Sequence, residues 1–131
     1  MKLDRDIDRI NDIFYRLAED VSQLYDGAFN VRLVLDQRDR YPDARSFAMS
    51  SANTVYVSPK LLGADAARIE GLLMHELAHV YMLKLGINSH TELQTDELAE
   101  VIFDKRIYYD KDDVQTTRPG KHPRPSYLPN N

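Results

Sequence analysis

Two histidines four residues apart, in the segment His75-Glu76-Leu77-Ala78-His79, interrupt an otherwise apolar part of the chain. The flanking residues 69–74 and 80–83 are mostly apolar and have the pattern of a buried helix. Residues four apart lie on the same face of an α-helix, about 6 Å apart along its axis. The spacing therefore predicts that both imidazoles face one side of a helix, where they can bind one metal ion.

Glu76 is the third polar group of this segment. A glutamate next to the first histidine can reach a water activated by the metal and act as a general base. The alternative is that His75 and His79 are ordinary core or surface residues. Buried polar groups cost free energy unless they are paired, so three of them on an apolar helix favour a metal site. The motif resembles that of the zincin metalloproteases.

The residues after this helix distinguish the zincin families. Metzincins have another histidine six residues after the second, where this chain has Leu85, so it does not fit them. Glu92 and Asp96 follow instead, four residues apart on one face of a predicted second helix. In this the chain resembles the gluzincins, especially the minigluzincins, and more distantly the ImmA/IrrE-type proteases. The resemblance implies zinc bound by His75, His79 and Glu92, with Asp96 orienting a ligand histidine.

Two alternatives to Glu92 as the third ligand remain open. Residues 89–92 also fit a capping box that begins at Ser89, in which Glu92 would serve the start of the helix. His90 is a competing ligand, as in SprT-like zincins with three histidines. Those proteins usually add a zinc ribbon, which this chain cannot form because it has no cysteine. We expect His90 to lie in a loop or to face the substrate.

The composition is that of one ordinary globular domain. The chain has 131 residues, of which 43% are hydrophobic and 29% charged. Its formal net charge of −4 disfavours a nucleic-acid partner. Residues 1–6 lack the apolar segment of a secretory signal, and no apolar run approaches the length of a membrane span. We therefore expect a cytoplasmic protein without a membrane partner, and its oligomeric state is left open.

Residues 3–25 are predicted to form a helix with an apolar stripe, which favours packing on a core over dimerisation. The stripe consists of Leu3, Ile7, Ile10, Phe14, Leu17, Val21 and Leu24, widened by Ile13 and Ala18. Helices are also expected at 66–85, with Asp65 as the N-cap, and at 91–103. Three β-prone segments lie between the first helix and the helix at 66–85, at residues 29–35, 46–49 and 54–57.

These elements predict the α+β class. The zincin resemblance implies a minimal domain with an N-terminal helix, a small antiparallel or mixed sheet, the histidine helix and a following helix that carries a ligand. It also implies that the strand at 54–57, or its neighbour at Phe47, forms the rim that pairs with an extended substrate. A plain hairpin that binds nothing is the alternative.

Residues 1–109 are expected to form the zincin-like metalloprotease domain, and residues 110–131 a proline-rich extended tail. The resemblance implies a zinc-dependent endopeptidase, with Glu76 as general base and a protein or peptide as substrate. The alternatives are a non-catalytic zinc-binding interaction module and a proenzyme inhibited by its tail. The residue that stabilises the oxyanion or faces the substrate is left open among Tyr108, Tyr109, His90, His122 and Arg106.

Overall fold

The structure, a computed structural model, describes residues 2–35, 48–50, 53–87 and 89–104, with 48–50 described as backbone. Its elements in chain order are α1 (Lys2–Ser22), β1 (Arg32–Leu35), β2 (Ala48–Ser50), β3 (Thr54–Val57), a 3-10 turn (Pro59–Gly63), α2 (Ala66–Lys84) and α3 (Glu92–Phe103). The α+β class is confirmed. The predicted tail lies outside the described residues, as does the strand residue Phe47.

Helix α1 buries the apolar stripe that the sequence predicts. The buried members are Ile10, Ile13, Phe14, Leu17, Ala18 and Val21. They follow a helical period, and the helix packs against α2, α3 and the 3-10 turn. Packing on the core is therefore confirmed for this stripe. Leu24 is an exception, because the helix ends at Ser22 and the Leu24 side chain is 54% exposed.

The described strands form a mixed sheet in the order β1-β3-β2. Strand β2 is antiparallel to β3, whereas β1 runs parallel to β3 with Arg32 opposite Thr54 and Leu35 opposite Val57. The expectation of a purely antiparallel sheet is thus wrong, because β1 pairs with β3 and not with β2, its neighbour in sequence. Strand β3 is also central, so the first of the two expected rim segments is wrong, whereas the second, at Phe47, lies outside the described residues.

Helix α2 lies at the centre of the domain. It contacts α1 and α3 on its sides and both β2 and β3 of the sheet. It is therefore buried on almost every face, which explains its nearly continuous apolar sequence. The predicted N-cap is confirmed: the side chain of Asp65 accepts a hydrogen bond from the backbone N–H of Arg68, at 2.9 Å.

The end of α2 reverses the chain abruptly. Gly86 has a φ of +83°, the left-handed conformation that favours glycine. Its N–H donates to the carbonyl of Leu83 at 3.1 Å, and the N–H of Ile87 donates to the carbonyl of Met82 at 2.9 Å. This pair of bonds is a Schellman motif, which satisfies the last carbonyls of the helix. It starts the return of the chain towards the middle of α2.

Helix α3 begins two residues later than the predicted capping box implies. The N-cap is Thr91, whose hydroxyl accepts from the N–H of Gln94 at 3.0 Å. The Gln94 side chain accepts in return from the N–H of Thr91 at 2.9 Å. The capping box at Ser89 is therefore wrong, because the Thr91–Gln94 pair has the same spacing and performs that function. Glu92 is left as the first helical residue, and its carboxylate is not used in the cap.

Candidate metal centre

Two ionisable side chains lie in the middle of the most apolar helix of the described structure. His75 is 0% exposed and Glu76 is 2% exposed, between buried neighbours Met74 and Leu77. Burying such groups costs several kcal/mol unless they are paired, so their position needs an explanation beyond packing. Buried titratable groups with a perturbed pKa are typical of functional sites, and the pKa of His75 is raised.

His75, His79 and Glu92 bring one potential ligand atom each to a common point. Nε2 of His75 lies 2.6 Å from Oε2 of Glu92. Nε2 of His79 lies 3.0 Å from Nε2 of His75 and 3.4 Å from the same Glu92 oxygen. The two histidines come from successive turns of α2, and Glu92 comes from the first turn of α3. Together these three residues could hold a metal ion.

The donor atoms fit a small tetrahedral ion. Two nitrogens and one carboxylate oxygen are a donor set that zinc uses in proteins, and ligand atoms around such an ion lie about 3.3 Å from one another. The observed separations of 2.6, 3.0 and 3.4 Å are close to that value. The shortest separation, between His75 and Glu92, would have to lengthen by about 0.7 Å to match it.

Asp96 holds the ring of His75 at Nδ1, the nitrogen that does not face Glu92. Its Oδ1 lies 2.7 Å from Nδ1 of His75, and both side chains are fully buried. The carboxylate accepts the Nδ1 proton, which leaves Nε2 directed at Glu92 and His79. The four-residue spacing of Glu92 and Asp96 on α3 places one carboxylate on each side of the His75 ring.

His90 lies behind the second histidine and not at the common point. Its Nε2 is 2.7 Å from Nδ1 of His79, the nitrogen on the far side of the ring from Glu92. Burial, followed by the charge of His79, lowers the pKa of His90, and the backbone of Ile87 opposes this shift. The structure thus brings His90 to the site as a neighbour of the potential ligand His79. No feature of the sequence pattern predicted the contact between the two histidines.

The electrostatics of the site hold a proton between His75 and Glu92. Burial lowers the pKa of His75, but hydrogen bonds with Asp96 and Glu92 and the charge of Glu76 outweigh burial and raise it to about 10. Burial raises the pKa of Glu92, but its hydrogen bonds with His75 and His79 hold it well below its usual range. His75 is therefore an imidazolium that donates to a carboxylate on each side.

The remaining predicted site residues lie outside the described part of the chain. These are Tyr108, Tyr109, His122 and Arg106. A role for any of them in stabilising an oxyanion stays a prediction from the sequence.

Comparison of the chain with protein-family models, with curated proteins and with solved structures gave no match. Within the described ranges, no helix is both long and apolar enough to cross a bilayer. The class of site is therefore defined by its own geometry, as a candidate metal centre of two histidines and one glutamate.

Proposed function

We propose that this protein is a zinc-dependent endopeptidase. The observation that supports the proposal best is the convergence of His75, His79 and Glu92, together with a buried ionisable residue, Glu76, next to His75 in the same helix. A structural zinc site has four protein ligands and needs no base, whereas a catalytic site has three and an open position. Three ligands with an adjacent glutamate match the catalytic arrangement.

His75, His79 and Glu92 are the residues that would hold the metal. Zinc bound by such ligands polarises a carbonyl and lowers the pKa of a coordinated water from about 15.7 to about 7. The same two-histidine, one-carboxylate set also suits manganese or iron. We favour zinc because the adjacent Glu76 supplies the base that zinc hydrolases use.

Glu76 is the proposed catalytic base. It takes a proton from the water that attacks the peptide carbonyl and delivers it to the leaving amine. Its burial, at 2% exposure, removes competing bulk water from the carboxylate and strengthens its electrostatic interactions. Its charge already acts on His75, where it contributes to the raised pKa.

The resemblance to gluzincins supports this proposal at two further positions. That resemblance implies a ligand at Glu92 and an orienting acid at Asp96. Glu92 Oε2 lies 2.6 Å from Nε2 of His75, and Asp96 Oδ1 lies 2.7 Å from Nδ1 of the same ring. Under this proposal the substrate is a protein or an extended peptide, and the cytoplasmic location expected from the sequence stays a prediction.

The decisive experiment compares zinc-loaded wild type with Glu76→Gln. Glutamine keeps the size of the side chain but cannot accept the proton, so we expect zinc to be retained and turnover to fall by at least about 10²- to 10⁴-fold. New peptide N-termini in a cell lysate treated with each protein, identified by mass spectrometry, measure turnover on all lysate proteins at once, so no defined substrate is needed. Bound zinc is measured by elemental analysis of the same samples.

Glu70→Gln is the matched control. Glu70 lies on the same helix, where it pairs with Arg16 at 2.7 Å near the surface. We expect this variant to cleave as wild type does. Equal cleavage by wild type and Glu76→Gln would refute the mechanism. Tight zinc binding without any cleavage that depends on Glu76 would favour the alternative, a non-catalytic zinc-binding module.

A further inference from the structure

His79 has a side-chain partner on each of its two ring nitrogens. Nε2 faces His75 and Glu92, at 3.0 and 3.4 Å. Nδ1 faces Nε2 of His90, at 2.7 Å, with the two ring centroids 4.9 Å apart. The first nitrogen therefore points at the candidate metal position and the second at a residue that no ligand motif includes.

The contact with His90 constrains the tautomer of His79. A neutral imidazole carries one proton, and the nitrogen that binds a metal must be the one without it. If Nε2 of His79 binds the metal, its proton is on Nδ1, and that N–H needs an acceptor. At 2.7 Å, Nε2 of His90 lies at hydrogen-bond distance from this N–H.

We propose that His90 is a positioning residue that holds His79 in the tautomer and orientation required for metal binding. It does for His79 what Asp96 does for His75, with a neutral imidazole in place of a carboxylate. This assignment rests on the metal site proposed above and adds a residue to it. Hydrogen-bond partners of ligand histidines typically change metal affinity by about 10- to 100-fold when they are removed.

Hydrogen bonds fix the backbone near His90. The Schellman motif at Gly86 turns the chain back, and Thr91, the next residue after His90, is fixed by the capping box of α3. His90 is thus attached directly to a hydrogen-bonded helix start. A backbone fixed in this way reduces the conformational entropy that His90 must lose in order to restrain His79.

The geometry also argues against His90 as the third metal ligand. Its Nε2 is engaged with His79, on the side away from Glu92. Its Nδ1 is shielded from solvent and finds no hydrogen-bond partner of good geometry among the described residues. Neither nitrogen lies with the three converging ligand atoms, whereas the Glu92 oxygen does.

Two substitutions of His90 test this role. His90→Leu removes the acceptor and keeps an apolar side chain of similar reach. His90→Gln restores an acceptor at the end of a side chain of comparable length. We expect the zinc dissociation constant, measured by competition with a chromophoric chelator, to rise by about 10- to 100-fold in His90→Leu and to stay near the wild-type value in His90→Gln.

A second measurement separates positioning from simple folding. Nitrogen-15 NMR of the imidazoles reports which ring nitrogen carries the proton, independently of turnover. In metal-free wild type and His90→Gln we expect His79 to be protonated at Nδ1, as metal binding at Nε2 requires. In metal-free His90→Leu, correctly folded by circular dichroism, we expect the His79 ring to populate both tautomers.

The outcomes distinguish this inference from the proposed function. His90→Leu with the zinc affinity of wild type would overturn the inference and leave the metal site intact. A His90→Gln variant as impaired as His90→Leu would also overturn it, because an acceptor alone would then not suffice. A wild-type chain that binds no zinc would refute the proposed function, and the positioning role with it.

Discussion

Zinc affinity should rise steeply with pH, because the metal must displace the proton held between His75 and Glu92. The pKa of His75 is about 10, with hydrogen bonds to Asp96 and Glu92 overcoming the effect of burial. At pH 7 the ring is three pH units below its pKa, so about one molecule in 10³ has the neutral imidazole that zinc needs. The proton therefore weakens zinc binding at pH 7 by about 10³-fold, or about 4 kcal/mol.

Calorimetric titration of zinc into the metal-free protein measures this effect. Titrations in two buffers with different ionisation enthalpies should show at least about one proton released per zinc at pH 7.5, since a zinc-bound water can add to the proton from His75. From pH 7 to 9 the apparent affinity should increase about tenfold per pH unit. Zinc binding with no proton release and a flat pH profile would refute the assignment of the raised pKa. In Asp96→Asn the pKa of His75 should fall, so fewer protons should be released.

The thermal stability of the protein should also depend on pH, in opposite directions for the metal-free and the zinc-loaded protein. In the metal-free protein the raised pKa of His75 contributes stability that is complete below its unfolded value of about 6.5 and is lost as pH rises towards about 10. The lowered pKa of Glu92 contributes stability above its unfolded value of 4.5, which is lost on acidification below it. From pH 6.5 to 9 the Tm of the metal-free protein should therefore fall, because the stability contributed by His75 is lost. Over the same range zinc should stabilise the loaded protein increasingly.

Two further predictions concern the scaffold. Phe14→Ala removes a fully buried ring from the core face of α1 and should lower the free energy of unfolding by about 3–5 kcal/mol, measured by urea denaturation. The control is Val101→Ala, since Val101 is 77% exposed and its replacement should change the free energy of unfolding by less than about 0.5 kcal/mol. Thr91→Ala removes the N-cap of α3 and should lower the free energy of unfolding by about 1 kcal/mol. Thr91→Ser keeps the capping hydroxyl and should retain most of that stability. Equal stability of the two Thr91 variants would contradict the capping box.

Much of the local structure could be predicted because it follows from periodicity. The apolar stripe of α1 and the continuous apolar sequence of α2 identify helices with buried faces. Asp65 was recognisable as an N-cap from residue type alone. The N-cap of α3 was not recognisable in this way, since Ser89 and Thr91 both begin a segment with capping-box spacing. The hydrogen bonds between Thr91 and Gln94 decide between them.

Pairing between distant segments was not predictable from local patterns. The sequence shows three β-prone segments, but none of them indicates that β3 lies between β1 and β2 in the sheet. A hairpin signal is local, whereas a parallel pair is set by contacts across a long separation in sequence. For this reason the sequence could not decide between the two expected rim segments, of which the one at β3 was wrong.

The sequence by itself determined which side chains share a helix face: His75 with His79, and Glu92 with Asp96, because residues four apart stack on an α-helix. Tertiary structure decided how these two faces meet. The turn at Gly86 and the contact of α2 with α3 place Glu92 within 2.6 Å of His75 and His90 within 2.7 Å of His79. Burial and these pairings set the ionisation of the site, because both depend on neighbours that lie in another helix or loop.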